Sequence, residues 1–170
     1  KDISRLNTIT ERFSKIGAAP ALKKENLTTV MQTAIDYIRT RTSSKVVFSL
    51  QNQQNYDVEV PLNVPLFEWV LENLFKNAID AMSGEGSITV RIADQNQFIY
   101  LDVTDTGKGI PKSKYKTVFK PGYTSKNRGW GLGLSLSKRI VEEYHGGQIF
   151  VKSSEPGKGT TFRIVLKKSA

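Results

Sequence analysis

Cysteine is absent from the 170 residues, so no disulfide, thiolate nucleophile or thiolate metal ligand is available. A single histidine excludes a multi-histidine metal centre. No apolar run approaches the ~20 residues that span a bilayer, and no secretory signal pattern is present. The chain starts at Lys1 without a methionine and is therefore expected to be a piece of something larger. Acidic residues are missing from one long stretch. Between Thr106 and Arg128 stand Lys108, Lys112, Lys114, Lys116, Lys120, Lys126 and Arg128, with no Asp or Glu among them.

What is present suits one well-packed domain with a short appendage, at 38% hydrophobic and 24% charged residues. The net charge of +9 favours anionic partners, whether nucleotide, nucleic acid or membrane surface. The lysine stretch reads either as a solubilising loop or as an electropositive rim for phosphate.

Periodicity divides the chain into elements. Leu6, Ile9, Phe13 and Ile16 alternate by three and four, an amphipathic helix over 1–16 that would want a partner helix. Gly17-Ala-Ala-Pro20 breaks it and marks a hinge. Asn26 looks like the cap of a helix over 26–41 carrying Leu27, Val30, Met31, Ala34, Ile35 and Ile38 inward. Segments 45–50 and 56–60 are strand-like, with a Gln/Asn-rich turn between them. A helix over 64–82 follows, with Phe67, Val70, Leu71, Leu74, Ala78 and Met82 as its core stripe. Segments 87–92 and 98–104 should form a hairpin across 94–97, and 148–152 and 161–166 another across 155–159. Between the hairpins a helix over 133–145 buries Leu134, Leu136, Ile140 and Val141 and stops at Gly146-Gly147.

Four features point to chemistry. Asn73, Asn77 and Asp80 stand at i, i+4 and i+7, which puts two amides and a carboxylate on one helix face. That face is either a solvated edge or a surface for a ligand that needs oxygen donors, such as a hydrated cation with phosphates. Asp105-Thr-Gly-Lys-Gly109 follows a strand. Its carboxylate can accept from an exocyclic amine, while its glycines let backbone approach a flat base. Phe119-Lys-Pro-Gly-Tyr-Thr-Ser-Lys126 combines an aromatic, read as a core plug, with a Pro-Gly turn and a basic end. Gly129-Trp-Gly-Leu-Gly133 opens a helix, where unhindered backbone N–H groups suit a phosphate. It follows a basic loop rather than a strand, which excludes a dinucleotide-binding βαβ unit, and there is no Gly-Lys-Ser/Thr phosphate loop.

In this order and spacing the four strongly resemble the catalytic ATP-binding domain of bacterial sensor histidine kinases, in the GHKL superfamily. Asn73-Leu-Phe-Lys-Asn77 looks like the family's N box, Asp105–Gly109 its G1 box, Phe119–Tyr123 its F box and Gly129–Gly133 its G2 box. The resemblance covers residues 26 to 167. It implies an α+β fold, a two-layer α/β sandwich of the Bergerat type with a mixed β-sheet and three helices on one face. It implies a protein-histidine kinase catalytic domain over 18–170, preceded over 1–17 by the remnant of a dimerisation and phosphoacceptor helix. The family's acceptor histidine has no counterpart here.

Carried over by position, the resemblance makes Asn77 the Mg²⁺ ligand and gives Asn73 the phosphates or the water shell of the ion. Asp105 would accept from the adenine amine, with Gly107, Gly109, Ile110 and Thr160 around the base. Gly129, Gly131, Leu132, Gly133 and Lys126 would face the phosphates, and 111–128 would be a lid. Asp80 replaces a lysine common in relatives and either joins the nucleotide contacts or braces the G1 turn. The implied cofactors are ATP and Mg²⁺. The implied partners are the histidine-bearing dimerisation domain of the parent chain and a response regulator receiver domain, with no nucleic acid and no membrane contact by this piece, in the cytoplasm.

GHKL hydrolases place a water-activating glutamate where this chain has Asn73. An amide cannot take a proton from water, which favours transfer over hydrolysis. Glu72 lies about 100° around the helix and reads as an ion pair with Lys76. His145, at a helix end, reads as a partner for terminal carbonyls rather than an acceptor or base. A GHKL serine kinase and a polyanion-binding module are the rival readings.

Overall fold

The computed structural model describes residues 21–123 and 133–169. The helix expected over 1–16, the hinge at 17–20, and Lys126, Gly129, Gly131 and Leu132 lie outside the described residues.

Strand β1 (Lys23–Asn26) runs directly into helix α1 (Leu27–Arg39), and Asn26 does both jobs. Its side-chain oxygen accepts the Thr29 N–H at 3.2 Å, satisfying one of the free donors of the first turn. The six apolar residues expected on the inner face of α1 are all buried. Asn63 caps α2 (Val64–Ala81) the same way, accepting from Leu66 N–H at 3.2 Å, with proline in the first turn. Helix α2 carries Leu66, Phe67, Val70, Leu71 and Phe75 fully buried.

A five-stranded sheet backs these helices. Its strands are β2 (Val46–Asn52), β4 (Gly86–Gln95), β5 (Phe98–Asp105), β6 (Gln148–Glu155) and β7 (Gly159–Lys167). They lie in the order β2-β4-β5-β7-β6. Only β2 and β4 are parallel, so the sheet is mixed, as expected. Ile88, Val90 and Ile92 alternate with Ile99, Leu101 and Val103 and with Phe162, Ile164 and Leu166 on the buried face.

Several expectations shift. Segments 45–50 and 56–60 do not pair with each other across their polar turn. Strand β2 pairs with β4, whereas β3 (Glu59–Leu62) leaves the main sheet and joins β1 in a separate two-stranded ribbon. The residues between are tied down by side chains. The Tyr56 hydroxyl donates to Asp94 at 2.6 Å and the Asn52 amide donates to the Tyr56 carbonyl at 3.0 Å. The helix expected over 133–145 is regular only as α3 (Gly133–Arg139) and widens into a π turn over Ile140–Tyr144. Ile140 and Val141 are buried, while Leu134 and Leu136 are only half-buried against the core. Gly146, at φ +67°, stops it where expected.

Two short 3₁₀ turns, Lys112–Lys114 and Thr117–Phe119, begin the basic segment. Phe119 is buried edge-on against Phe162, ring centroids 6.0 Å apart, and is the plug the sequence suggests.

Candidate functional site

The site is built on one stripe of α2. Asn73, Asn77 and Ala81 follow at i, i+4 and i+8, and each end of the stripe meets a glycine. At one end, a Cβ on Gly133 would stand 2.6 Å from the Asn73 side-chain oxygen. At the other, a Cβ on Gly107 would stand 2.7 Å from the Ala81 backbone, and Lys108 N–H donates to the Ala81 carbonyl at 2.9 Å. Asn77 sits midway along the roughly 12 Å between, half-buried like Asn73. Asp80 is exposed, and the neighbouring Ala81 carbonyl accepts from the turn after β5. Glu72 is buried, about 100° around the helix from Asn73.

The end of β5 makes the second wall. Asp105 is only 5% exposed and its carboxylate accepts the Gly107 N–H at 2.8 Å. Burial raises its pKa above the ordinary carboxylate value, against the N–H groups of Gly107 and Thr160, which favour the ion. Thr160 faces Asp105 across the β5–β7 ladder. Gly109, at φ +81°, lies so close to the Glu155 carbonyl and Pro156 that a side chain has no room.

Ser154 fastens this wall together. Its hydroxyl accepts the Ile110 N–H at 2.7 Å, lies 2.8 Å from the Thr160 hydroxyl and donates to the Gly159 carbonyl at 2.9 Å. Its own carbonyl accepts the Tyr115 hydroxyl at 2.9 Å. Sequence reasoning passed over Ser154. A bulge between Val151 and Ser153 shifts the alternation of β6, so period alone gives no hint that residue 154 turns toward the loop.

Ser137 was also passed over. It is fully buried, accepts from the Asn73 side-chain amide at 3.2 Å and donates to the Gly133 carbonyl at 2.8 Å. One signal was available: a hydroxyl three residues before Ile140 lies on the apolar stripe of its helix, where a polar group needs a partner.

Thus Asn73, Asn77, Gly133, Asp105, Gly107, Gly109, Ile110 and Thr160 line two walls that meet where Gly107 touches α2. Lys108, Lys112, Lys114, Lys116 and Lys120 are all exposed beside the second wall. The donors suit a nucleotide. A buried carboxylate with a raised pKa gains from an amine donor, and the missing Cβ of Gly133 leaves a cradle against an amide oxygen. Among the described residues no group of three His, Asp or Glu side chains could hold a metal. A cation here would lean on neutral amide oxygens and on the phosphates it accompanies, which suits Mg²⁺.

His145 lies outside both walls. Its Nδ1 is 2.9 Å from the Ile140 carbonyl, and its Nε2 accepts the Asn63 N–H at 3.1 Å. A carbonyl cannot donate and an amide N–H cannot accept, so the ring is neutral with its proton on Nδ1. Burial lowers its pKa, against the carbonyl contact, which raises it.

The fold is that of an ATP-binding catalytic domain, and the chain belongs to the family of histidine kinase-, DNA gyrase B-, and HSP90-like ATPases, matched over residues 63–170. Its relatives are sensor histidine kinases. It is 32% identical to sporulation kinase E of Bacillus subtilis over 97% of this chain and 22% of that protein. It is likewise 32% identical to the sensor histidine kinase ZraS of Escherichia coli K12, over 98% of this chain and 36% of that protein. The chain thus spans about a third or less of those relatives. Among solved structures, the nucleotide-free catalytic domain of histidine kinase ThkA superposes with a TM-score of 0.78 at 26% identity, covering 87% of this chain and 96% of that one. ThkA in complex with the response regulator TrrA superposes with a TM-score of 0.76 at 25% identity, over 98% of this chain and 48% of that one. Among the described residues no helix is long and apolar enough to cross a membrane.

Proposed function

We propose that this chain binds Mg·ATP between the α2 stripe and the Asp105 wall and presents its γ-phosphoryl to a histidine on the dimerisation domain of its parent protein. From there the phosphoryl would pass to an aspartate of a response regulator. The observation that carries the reading is the buried Asp105 carboxylate set beside glycines that admit a flat ring. Asp105 accepts from the adenine amine, and the backbone of Gly107 and Gly109 approaches the base. Thr160 and Ile110, tied through Ser154, hold that wall in shape. Asn77 offers its amide oxygen to Mg²⁺, Asn73 supports it one turn earlier, and Asp80 stands at the exposed margin. By the family resemblance Gly129, Gly131, Leu132 and Lys126, which lie outside the described residues, would serve the phosphates together with Gly133. An Mg²⁺ held there would supply charge neutralisation for the phosphates.

The chain's own contribution is position. No carboxylate stands on the stripe at the place of a hydrolase's base, so water gains no proton acceptor there. A receiver domain as partner is supported by the ThkA–TrrA complex, in which a structural relative meets a response regulator. The histidine-bearing partner is supported by the kinship with sensor histidine kinases.

Titration calorimetry with ATP and GTP tests the reading. GTP carries a carbonyl where ATP carries the amine, so acceptor would face acceptor and GTP should bind at least tenfold more weakly, about 1.4 kcal/mol. Equal binding of the two, or no binding of ATP, would overturn it.

A further inference from the structure

The hydroxyl of Ser137 is caught between two groups whose chemistry leaves it no freedom. Its oxygen lies 2.8 Å from the Gly133 carbonyl, an acceptor only, so its single proton must go there. What remains on Ser137 is acceptor capacity. The Asn73 side chain, 3.2 Å away on α2, can meet it only with its NH₂ end. Amide nitrogen and oxygen look alike in shape, but here the neighbours decide which is which. The Asn73 oxygen is therefore the end that does not meet Ser137, and the amide lies against the Cβ-less face of Gly133, its oxygen 2.6 Å and its nitrogen 2.9 Å from where a Cβ would stand.

We propose that Ser137 is a positioning residue: it fixes the Asn73 amide with nitrogen on the Ser137 hydroxyl, leaving the oxygen to accept from the bound cation's water. This deepens the nucleotide-site reading above and rests on it. The polarity matters. An amide oxygen accepts from the water around a cation, whereas it repels a phosphate oxygen. Ser137 is fully buried, so no solvent competes for its hydrogen bonds and the setting is held before any ligand arrives. The same two bonds tie the first turn of α3, which begins at Gly133, to the α2 stripe. Ser137 touches neither reactant nor cation in this scheme; it acts through Asn73.

Two measurements on wild type and Ser137→Ala test this. The first needs no nucleotide. In a ¹⁵N–¹H spectrum the Asn73 side-chain NH₂ should show two well-separated, slowly exchanging proton signals in wild type. In Ser137→Ala they should collapse toward those of a free amide. The second is calorimetry with ATP, in Mg²⁺ and again in EDTA. Ser137→Ala should weaken Mg·ATP by about tenfold while metal-free ATP changes less than about twofold. In a double-mutant cycle with Asn73→Ala, the second substitution should add little to the first.

If Ser137→Ala does not fold, Ser137→Cys keeps the shape with a poor acceptor and should show the same pattern. An unchanged NH₂ signal, an equal loss with and without Mg²⁺, or fully additive losses would each overturn the proposal. A wild type that binds no ATP overturns the nucleotide reading instead, and the spectrum still decides the Asn73 orientation.

Discussion

His145 Nε2 accepts the backbone N–H of Asn63, 82 residues earlier, at 3.1 Å. Asn63 is the cap of α2, so the end of one helix is pinned to the start of another through an unprotonated ring nitrogen. Protonation would turn that acceptor into a donor facing a donor. The folded-state pKa is lowered, from an ordinary 6.5, so the folded chain binds fewer protons than the unfolded one just below that value. Stability should therefore be full above about pH 6.5 and fall as pH drops below it, levelling off once the folded ring also protonates. Urea unfolding at stepped pH measures this. His145→Ala should cost about 2–3 kcal/mol and flatten the same pH window.

The same geometry forecasts the outcome of labelling. Incubated alone with γ-labelled ATP, the chain should carry no acid-labile phosphate on His145, because both ring nitrogens are engaged and the ring is buried. Stoichiometric label there would contradict the structural role assigned to this residue.

Asn77→Ala should weaken Mg·ATP by tenfold or more, about 1.4 kcal/mol, with little effect on metal-free binding. Calorimetry in Mg²⁺ against EDTA checks this, and a loss of equal size in both would contradict the metal role.

Asp105→Asn should part stability from binding. A buried carboxylate carries a desolvation cost that an amide avoids, so the nucleotide-free variant should melt no lower than wild type at pH 7. Its ATP affinity should nonetheless drop at least tenfold, because an amide NH₂ can face the adenine amine as donor against donor. A midpoint that falls together with affinity would show that Asp105 serves the fold first.

Gly109→Ala tests the other wall. At φ +81°, with the Glu155 carbonyl and Pro156 against the missing Cβ, the added methyl has neither a favoured backbone nor space. A loss of at least 2 kcal/mol is expected on order of magnitude, with base binding abolished. Gly157, also at positive φ but with nothing nearby, should accept alanine at about 1 kcal/mol.

What the sequence discloses follows from the range over which each interaction acts. The inner faces of α1 and α2, the Asn26 cap and the β4–β5 and β6–β7 hairpins are encoded within a few residues, and period and capping reveal them. The β2–β4 pairing is parallel and spans a whole helix, so nothing local announces it. The β1–β3 ribbon hides for a related reason: β1 is four residues long and only its distant partner makes it a strand. In the site, Asn73, Asn77 and Asp105 stand out because their types are unusual for their places. Ser137 and Ser154 are commonplace residues, and only the carbonyls and amides brought beside them give them meaning.

The Asp105 wall is closed by residues made after it. Thr160 N–H reaches the carboxylate, Ser154 holds Ile110, and Gly157 N–H donates to the Lys108 carbonyl at 2.7 Å. All three belong to the β6–β7 hairpin or its turn. A nascent chain that has emerged only as far as α3 holds every polar residue of the α2 stripe and still has no pocket for a base. The proposed base site would therefore depend on a hairpin that is synthesised last among the described strands.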